Sequence, residues 1–353
     1  DYDPDLCLIP DDVVSFVRAI QPARWEEFVR IAGHIEEARD RLLNRVRDIV
    51  REFGTVHALR KGISLHGAGA SPLVLCAFEP ANPAVATVAT ANYGLNIFRV
   101  IRQVRFSATT GQSLDMVLFV NGLPVFTAEL KNELTGQDWR DAVHQYRTTR
   151  DPKDNPLFAL GRCLAHFAVD HTQVHMASQL QGSATRFLPF NRGYDGGAGN
   201  PPSRTGYATS YLWEEVWTRR SILELVQRFV RLVDVYGDGG KKTGARRQQF
   251  PRYHQLRCVR DLAEHARRHG AGHRYLNQHS AGSGKTACIA WLAARLVGLH
   301  HEDGRNVFDS VIVISDRRVI DRQLQRELQQ VVDTLGILQV IDGDRGGTSN
   351  DLR

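Results

Sequence analysis

Between Leu114 and Leu130 two apolar runs, Leu114–Val120 and Val125–Leu130, flank the dipeptide Asn121-Gly122. Asn-Gly readily adopts the left-handed backbone of a tight turn, so this is the strongest short hairpin signal in the chain. It commits the region to an antiparallel pair and hence to a sheet that other elements must cover. Pro124 lies just past the turn, where a strand tolerates a missing N–H best. Side chains alternate along a strand, so Glu129 and Lys131 share a face. The turn decides whether Asp115 joins them. A two-residue turn pairs Val120 with Leu123 and puts Asp115 and Glu129 on opposite faces. A three-residue loop, with Gly122 left-handed in a bulge, puts them on the same face. The second arrangement is expected.

Around this hairpin the pattern is α, then several β, then α and β. Residues 11–53 read as helical, with Ala38, Leu42, Leu43, Val46, Ile49, Val50 and Phe53 in one stripe and Gly54 as a stop. Ser71–Phe78 is a short apolar run, and Ile97–Phe106 reads as a strand with arginines interspersed. A helix is expected at Asp138–Arg150, closed by Asp151-Pro152, and a strand at Cys163–Val169. Residues 191–208 carry loop chemistry throughout, rich in Gly, Asn and Pro. A connecting helix at Tyr211–Val235 and a basic linker at Lys241–Arg247 follow. Beyond them comes helix (Tyr253–His269), strand (Arg274–Gln278), Gly-rich turn, helix (Lys285–Val297) and strand (Val311–Ser315), the rhythm of a parallel sheet. The expected domains are therefore residues 1–190, a connecting region 191–248, and residues 249–353.

The 353 residues suit two domains rather than one. With 42% hydrophobic and 24% charged residues, global disorder is excluded. No apolar stretch approaches the roughly 20 residues of a membrane span, so no membrane association is expected. Five dispersed cysteines without a Cys-x-x-Cys pair suggest buried thiols in a reducing, cytoplasmic setting. A net charge of +6 fits a polyanion partner without demanding one. The acidic N-terminus is no secretory signal, and the missing initiator Met implies an upstream start.

Two motifs carry chemistry. In His279-Ser280-Ala281-Gly282-Ser283-Gly284-Lys285-Thr286 the glycines let backbone N–H groups turn around a phosphate, Lys285 can reach the β/γ-phosphates and Thr286 can hold Mg²⁺. His279 stands where the usual spacing has glycine. The other motif is Asp115 with Glu129 and Lys131. Two carboxylates and a lysine on one sheet face can bind Mg²⁺ and activate water for phosphodiester attack. The blander alternative is a solvated strand face, which sits poorly with the apolar neighbours Met116–Val120. A later acidic motif is missing from the nucleotide-binding pattern: Val340–Asp344 reads as a strand end and a loop. The chain is therefore expected to stop inside that domain. His166, His171 and His175 read as structural or surface histidines, Trp139, Trp213, Trp217 and Trp291 as packing, and Cys288 as a small buried residue. Lys241–Arg247 is either a solvated linker or a DNA-tracking patch.

Together, Leu114–Gln137 (LDMVLFVNGLPVFTAELKNELTGQ) and Asn277–Leu292 (NQHSAGSGKTACIAWL) resemble the restriction (motor/nuclease) subunit of type I restriction–modification systems, in its N-terminal portion. Asp141–Phe158, Arg186–Pro202, Phe250–Gln255 and Ser310–Gln323 are similar too, in the family's order. In that family His at the place of His279 is ordinary. The resemblance implies an α/β fold: a PD-(D/E)xK nuclease-like mixed sheet with flanking helices, then an incomplete RecA-like, superfamily 2 helicase domain. It makes Asp115, Glu129 and Lys131 the nuclease site, with Asp115 and Glu129 on Mg²⁺. Gln145 would support them, although Thr149 stands where a Tyr is usual. Gln255 would read adenine, with Tyr253 beside it. Gly282, Ser283, Gly284, Lys285 and Thr286 would hold ATP, with Thr286 on its Mg²⁺, and Arg317 and Arg318 would touch the DNA backbone. The family's nuclease domain usually starts with a helix carrying a further acidic residue, and this chain is expected to begin after it.

The implied activity is ATP-dependent translocation on double-stranded DNA and its Mg²⁺-dependent cleavage, with methyltransferase and specificity subunits as partners. As a fragment, the chain is expected not to translocate and to lack ATPase activity. Two other readings remain at this point: a non-catalytic remnant that only binds DNA or partner subunits, and a DNA-repair nuclease–helicase fusion.

Overall fold

A computed structural model describes residues 1–330 apart from residues 70, 81–85, 108–109, 205, 238–240, 302 and 315–323. The chain divides into two compact units, Asp1–Tyr253 and His254–Arg353. Arg317, Arg318 and the Val340–Asp344 segment lie outside the described residues.

The first unit opens with four helices: α1 (Pro10–Ile20), α2 (Pro22–Ala32), α3 (Ile35–Phe53) and α4 (Thr55–Lys61). Residues 11–53 are thus helical as expected, but in three pieces. Pro22 has no N–H to continue α1 and instead starts α2 at its first position. Gly33 ends α2 in the left-handed conformation, and the His34 side chain caps α3 by accepting from Glu36 N. The α3 stripe is buried from Ala38 to Val50, while Phe53 is 37% exposed and stacks on His57.

After α5 (Thr87–Gly94) come β1 (Phe98–Arg105), β2 (Ser113–Val120), β3 (Leu123–Leu130), α6 (Trp139–Thr148), β4 (Ala165–Val169), β5 (Val174–Ala177) and β6 (Leu188–Pro189). They form a mixed six-stranded sheet in the order β1-β2-β3-β4-β5-β6. Only β3 and β4 pair in parallel, because α6 carries the chain back between them. A reciprocal capping box between Asp138 and Asp141 starts α6, and its Ala142, Val143 and Tyr146 are buried. β3 is central, and every residue from Leu123 to Glu129 is buried. Ser71–Phe78 forms no regular strand; Leu73 makes a lone bridge to Ile63.

The described residues of 191–208 form turns and loops as expected, but the stretch from Tyr211 to residue 248 departs from the expected connecting helix and linker, and all of it belongs to the first unit. Thr218 caps a new helix, α7 (Arg219–Glu224), between two π-type turns at Leu212–Val216 and Leu225–Phe229. The expected helical stripe then yields to β7 (Arg231–Tyr236), where β-branched Val233 and Val235 favour extended backbone. The basic segment is not a free linker: it lies in β8 (Lys242–Gln249), antiparallel to β7. Arg246 donates to Glu52 O, and buried Gln248 donates to the carbonyls of Cys163 and Leu164. Phe126, Phe167, Phe190, Trp217 and Phe250 pack together, mostly edge to face, with Phe126 stacked on Trp217.

The second unit contains α8 (Tyr253–His269), α9 (Lys285–Val297) and a helical stretch at residues 324–330. Among its described residues there is no regular strand, which departs from the expected parallel sheet. Among the described residues, 274–278 and 311–314 join no strand ladder, and Leu276 is 92% and Ile314 87% exposed. An extended segment becomes a strand only when a neighbour takes its N–H and C=O groups. No helix among the described residues is long and apolar enough to cross a membrane.

Candidate active site

The Asn121-Gly122 turn has two residues, not three. Val120 pairs with Leu123, and both turn residues are left-handed, with φ 49° and 79°. Asn121 is locked by its own side chain, which accepts from Ile97 N and donates to Leu75 O and Asn96 Oδ1. On its own this turn would separate Asp115 from Glu129. A bulge reverses the effect. Phe119 pairs with Pro124, but the next pair is Leu118 with Phe126, so β3 carries one extra residue at Val125. Pro124 offers no N–H to the ladder and so favours the break there. From Met116–Ala128 onward the register is shifted by one, and Asp115 comes level with Glu129 on one face.

Asp115 Oδ2 accepts from Leu130 N at 2.8 Å, and Oδ1 accepts from Gln103 Nε2 at 3.1 Å. Glu129 is 1% exposed, and its Oε1 meets Arg150 Nη2 at 2.8 Å and Nε at 3.0 Å. Burial raises the Glu129 pKa to about 7; Arg150 opposes that rise and the neighbouring Asp115 charge adds to it. Arg150 also donates to Ser113 O and Thr149 Oγ1 and lies over the Phe106 ring. Lys131 continues the ladder beyond β3 by donating to Val169 O. Alternation places its side chain on the Glu129 face, where its ammonium has no partner among the described residues. An open groove of about 880 Å³ runs past Asp115, lined also by Asp11, Asp12, Arg99, Gln103 and Leu130. In it Arg99 grips Asp12 through two hydrogen bonds of 2.7 and 2.6 Å.

Gln145 sits half-buried on α6, and its Oε1 is enclosed without a hydrogen-bond partner. No hydrogen bond joins it to Asp115 or Glu129 among the described residues. Its neighbour Tyr146 bonds Thr127 Oγ1 at 2.8 Å, and the same oxygen meets His166 Nδ1 at 2.8 Å. Burial draws the His166 pKa down to about 3, so that ring is a neutral core group. His175 stacks on Trp139 and His171 on Tyr207. Among the described residues, no three His, Cys, Asp or Glu side chains are placed to share a metal. Asp115 and Glu129 nevertheless supply the hard oxygen donors that suit Mg²⁺. Arg150 was not anticipated from sequence: it lies in the turn after α6 and belongs to no spacing pattern.

The second constellation lies in the second unit. Gly282 (φ 72°) and Gly284 (φ 82°) are both left-handed, and Gly284 caps α9. Buried Gln255 on α8 donates through Nε2 to the carbonyls of Ser283 and Gly284, both at 3.0 Å. At φ 82° a side chain is strained at Gly284, and a Cβ there would also force the Gln255 amide to move. Ser283 Oγ is enclosed without a partner, and Lys285 Nζ is folded back onto the carbonyls of His279 and Ser280, each at 2.9 Å. Thr286 is half-exposed in the first turn of α9. The left-handed glycines, the orphaned Ser283 hydroxyl and the helix N-terminus fit a phosphate chain. The structure thus brings Gln255, Ser283, Gly284 and Lys285 together.

Two families match the chain. Residues 79–185 match the type I restriction enzyme R protein N terminus, and residues 249–350 match the type III restriction enzyme, res subunit. Over 252 residues the chain is 23% identical to a protein of Methanocaldococcus jannaschii described as "Putative type I restriction enzyme MjaVIIIP endonuclease subunit". The match covers 67% of this chain and 22% of that protein, so the chain spans about a fifth of its relative's length. The first match holds the hairpin with Asp115 and Glu129, and the second holds the glycine-rich loop, in the order the motifs imply. Taken with the similarity to the M. jannaschii subunit, they support kinship with the R subunit of type I restriction enzymes.

Proposed function

We propose that the first unit is a Mg²⁺-dependent DNA endonuclease of the PD-(D/E)xK type, and that the second begins an ATP-driven, RecA-like motor. Double-stranded DNA is the substrate, and methyltransferase and specificity subunits are the partners. The observation that carries this reading is the alignment of Asp115 with Glu129 on one face, with Lys131 one step further along.

Asp115 and Glu129 would hold the metal, which supplies Lewis-acid polarisation of a phosphoryl oxygen. The chain's own groups do the rest. Leu130 N and Gln103 Nε2 fix the Asp115 carboxylate, and Arg150 fixes that of Glu129. Lys131, without a partner among the described residues, is available to orient the attacking water and to stabilise charge on the phosphate as the new P–O bond forms and the sugar–phosphate bond breaks. Gln145, with an unused Oε1 on α6, is a candidate support for that water. In the second unit Gly282, Ser283, Gly284 and Lys285 would cradle the ATP phosphates and Thr286 would meet their Mg²⁺. Gln255 is engaged with the loop backbone, which suits a residue that couples adenine recognition to the phosphates.

Nicking of supercoiled plasmid by the chain with Mg²⁺ tests the first half. Asp115→Asn and Lys131→Ala should each lower the rate at least a hundredfold; activity equal to the parent in both would reject the nuclease assignment. For the second half, Lys285→Ala should weaken binding of a fluorescent ATP analogue at least tenfold.

A further inference from the structure

Arg150 stands where oxygen ligands of the proposed metal site converge. Two of its nitrogens approach one oxygen, Glu129 Oε1, at 2.8 and 3.0 Å. The same Nη2 takes Ser113 O at 3.0 Å, the adjoining backbone carbonyl at the start of β2. Nη1 is bound to Thr149 Oγ1 at 2.7 Å, and the guanidinium lies 5.0 Å from the centre of the Phe106 ring. The side chain is only 7% exposed. A guanidinium held on every side in this way is a fixture and has no freedom to follow a substrate.

We infer that Arg150 is a resident cation that occupies the place of a second metal ion and limits the Asp115–Glu129 site to one divalent cation. The inference rests on the reading of this pair as the metal site. Two carboxylates with the Arg150 guanidinium and the Lys131 ammonium carry no net charge. One divalent ion makes the site doubly positive, which already exceeds the single negative charge of a phosphodiester and leaves nothing for a second ion to neutralise. A second ion would find Glu129 Oε1 and Ser113 O already taken. It would also find no third acidic, histidine or cysteine ligand grouped there among the described residues. Desolvated positive charge without oxygen ligands is unfavourable, so the second ion is excluded. Arg150 is thus a positioning residue: it acts through Glu129 and sets how many ions the site takes.

The test is a count of bound ions. The whole chain is titrated with Mn²⁺ in the absence of nucleotide, and free Mn²⁺ is read by electron paramagnetic resonance. The double variant Asp115→Asn/Glu129→Gln supplies the baseline for ions bound elsewhere. The parent should bind one ion more than this baseline, and Arg150→Lys, which keeps the charge, should also bind one. Arg150→Ser should bind two, because it frees both oxygens. Two ions in the parent, or one in a folded Arg150→Ser, would overturn the inference while leaving the metal-site reading intact. No difference between parent and double variant would sink the metal-site reading and the inference with it. Should Arg150→Ser not fold, the counts for the parent and Arg150→Lys decide.

Discussion

Replacing Glu129 by Gln should stabilise the protein at neutral pH, although it removes half of a buried ion pair. The Glu129 carboxyl is 1% exposed, and burial with the nearby Asp115 charge outweighs Arg150, raising its pKa from 4.5 to about 7. Each factor of ten in proton affinity is worth about 1.4 kcal/mol, so the displacement corresponds to roughly 3 kcal/mol. The folded state holds this proton more tightly than the unfolded chain does. Its contribution is therefore fully present below about pH 4.5, falls as pH rises, and is lost above about pH 7. Glutamine stays neutral throughout and resembles the protonated acid.

Glu129→Gln should accordingly match the parent near pH 4.5 and exceed its stability by roughly 3 kcal/mol above pH 7.5, a gap set by the proton linkage. Urea unfolding in the presence of a chelator, followed by tryptophan fluorescence, measures this. Trp25, Trp139, Trp213 and Trp217 all lie in the first unit, so the signal reports mainly on it. If the variant instead loses ground to the parent as pH rises, Arg150 outweighs burial. The carboxyl would then be held below its ordinary value, and the reasoning fails.

Other expectations follow from close backbone approaches. Gly282→Ala and Gly284→Ala both place alanine in left-handed backbone, at a cost of about 1–2 kcal/mol. Only Gly284 has Gln255 Nε2 in the way, while the space around Gly282 is open. Binding of a fluorescent ATP analogue should fall at least tenfold further in Gly284→Ala; equal losses would show that the contact with Gln255 is irrelevant to the loop. Gly122→Ala would put a Cβ 2.5 Å from Ile9 O and 2.9 Å from Val13 N, with φ at 79°. Because α1 must move to relieve this, urea unfolding should report a loss of roughly 2–4 kcal/mol, and a loss under 1 kcal/mol would mean that the approach is not tight.

Much of the first unit is legible in the sequence because its signals are local. Asn121-Gly122 marks the hairpin, the 3.6-residue stripe marks α3, and the Asp138/Asp141 pair caps α6. What is not legible depends on neighbours distant in the chain. Arg150 matters because folding brings it to Glu129, 21 residues away, and no periodicity marks such a meeting. The stretch Tyr211–Val235 has helical apolar spacing as far as Phe229, and those residues are buried, yet Arg231–Tyr236 pairs with β8. In the second unit the glycine loop and its two flanking helices follow from local chemistry. Residues 274–278 and 311–314 have strand-like composition but need partners to become strands.

The hairpin shows how a site can be read correctly through a turn that is read wrongly. Side chains along a strand have a period of two, so every inserted residue exchanges the faces beyond it. The two-residue turn makes one such exchange relative to the expected loop, and the extra residue at Val125 makes another. The two cancel, and Asp115 returns to Glu129. Each exchange has its own cause. Gly122 O accepts from Ile9 N, and the turn sits so close to α1 that no Cβ fits at Gly122, which leaves no room for a longer loop. Pro124 then breaks the ladder one residue beyond the turn, where an inserted residue costs least. The placement of the acidic pair therefore depends on a proline and a helix approach nine and seven residues from Asp115. Neither contains a group that does chemistry.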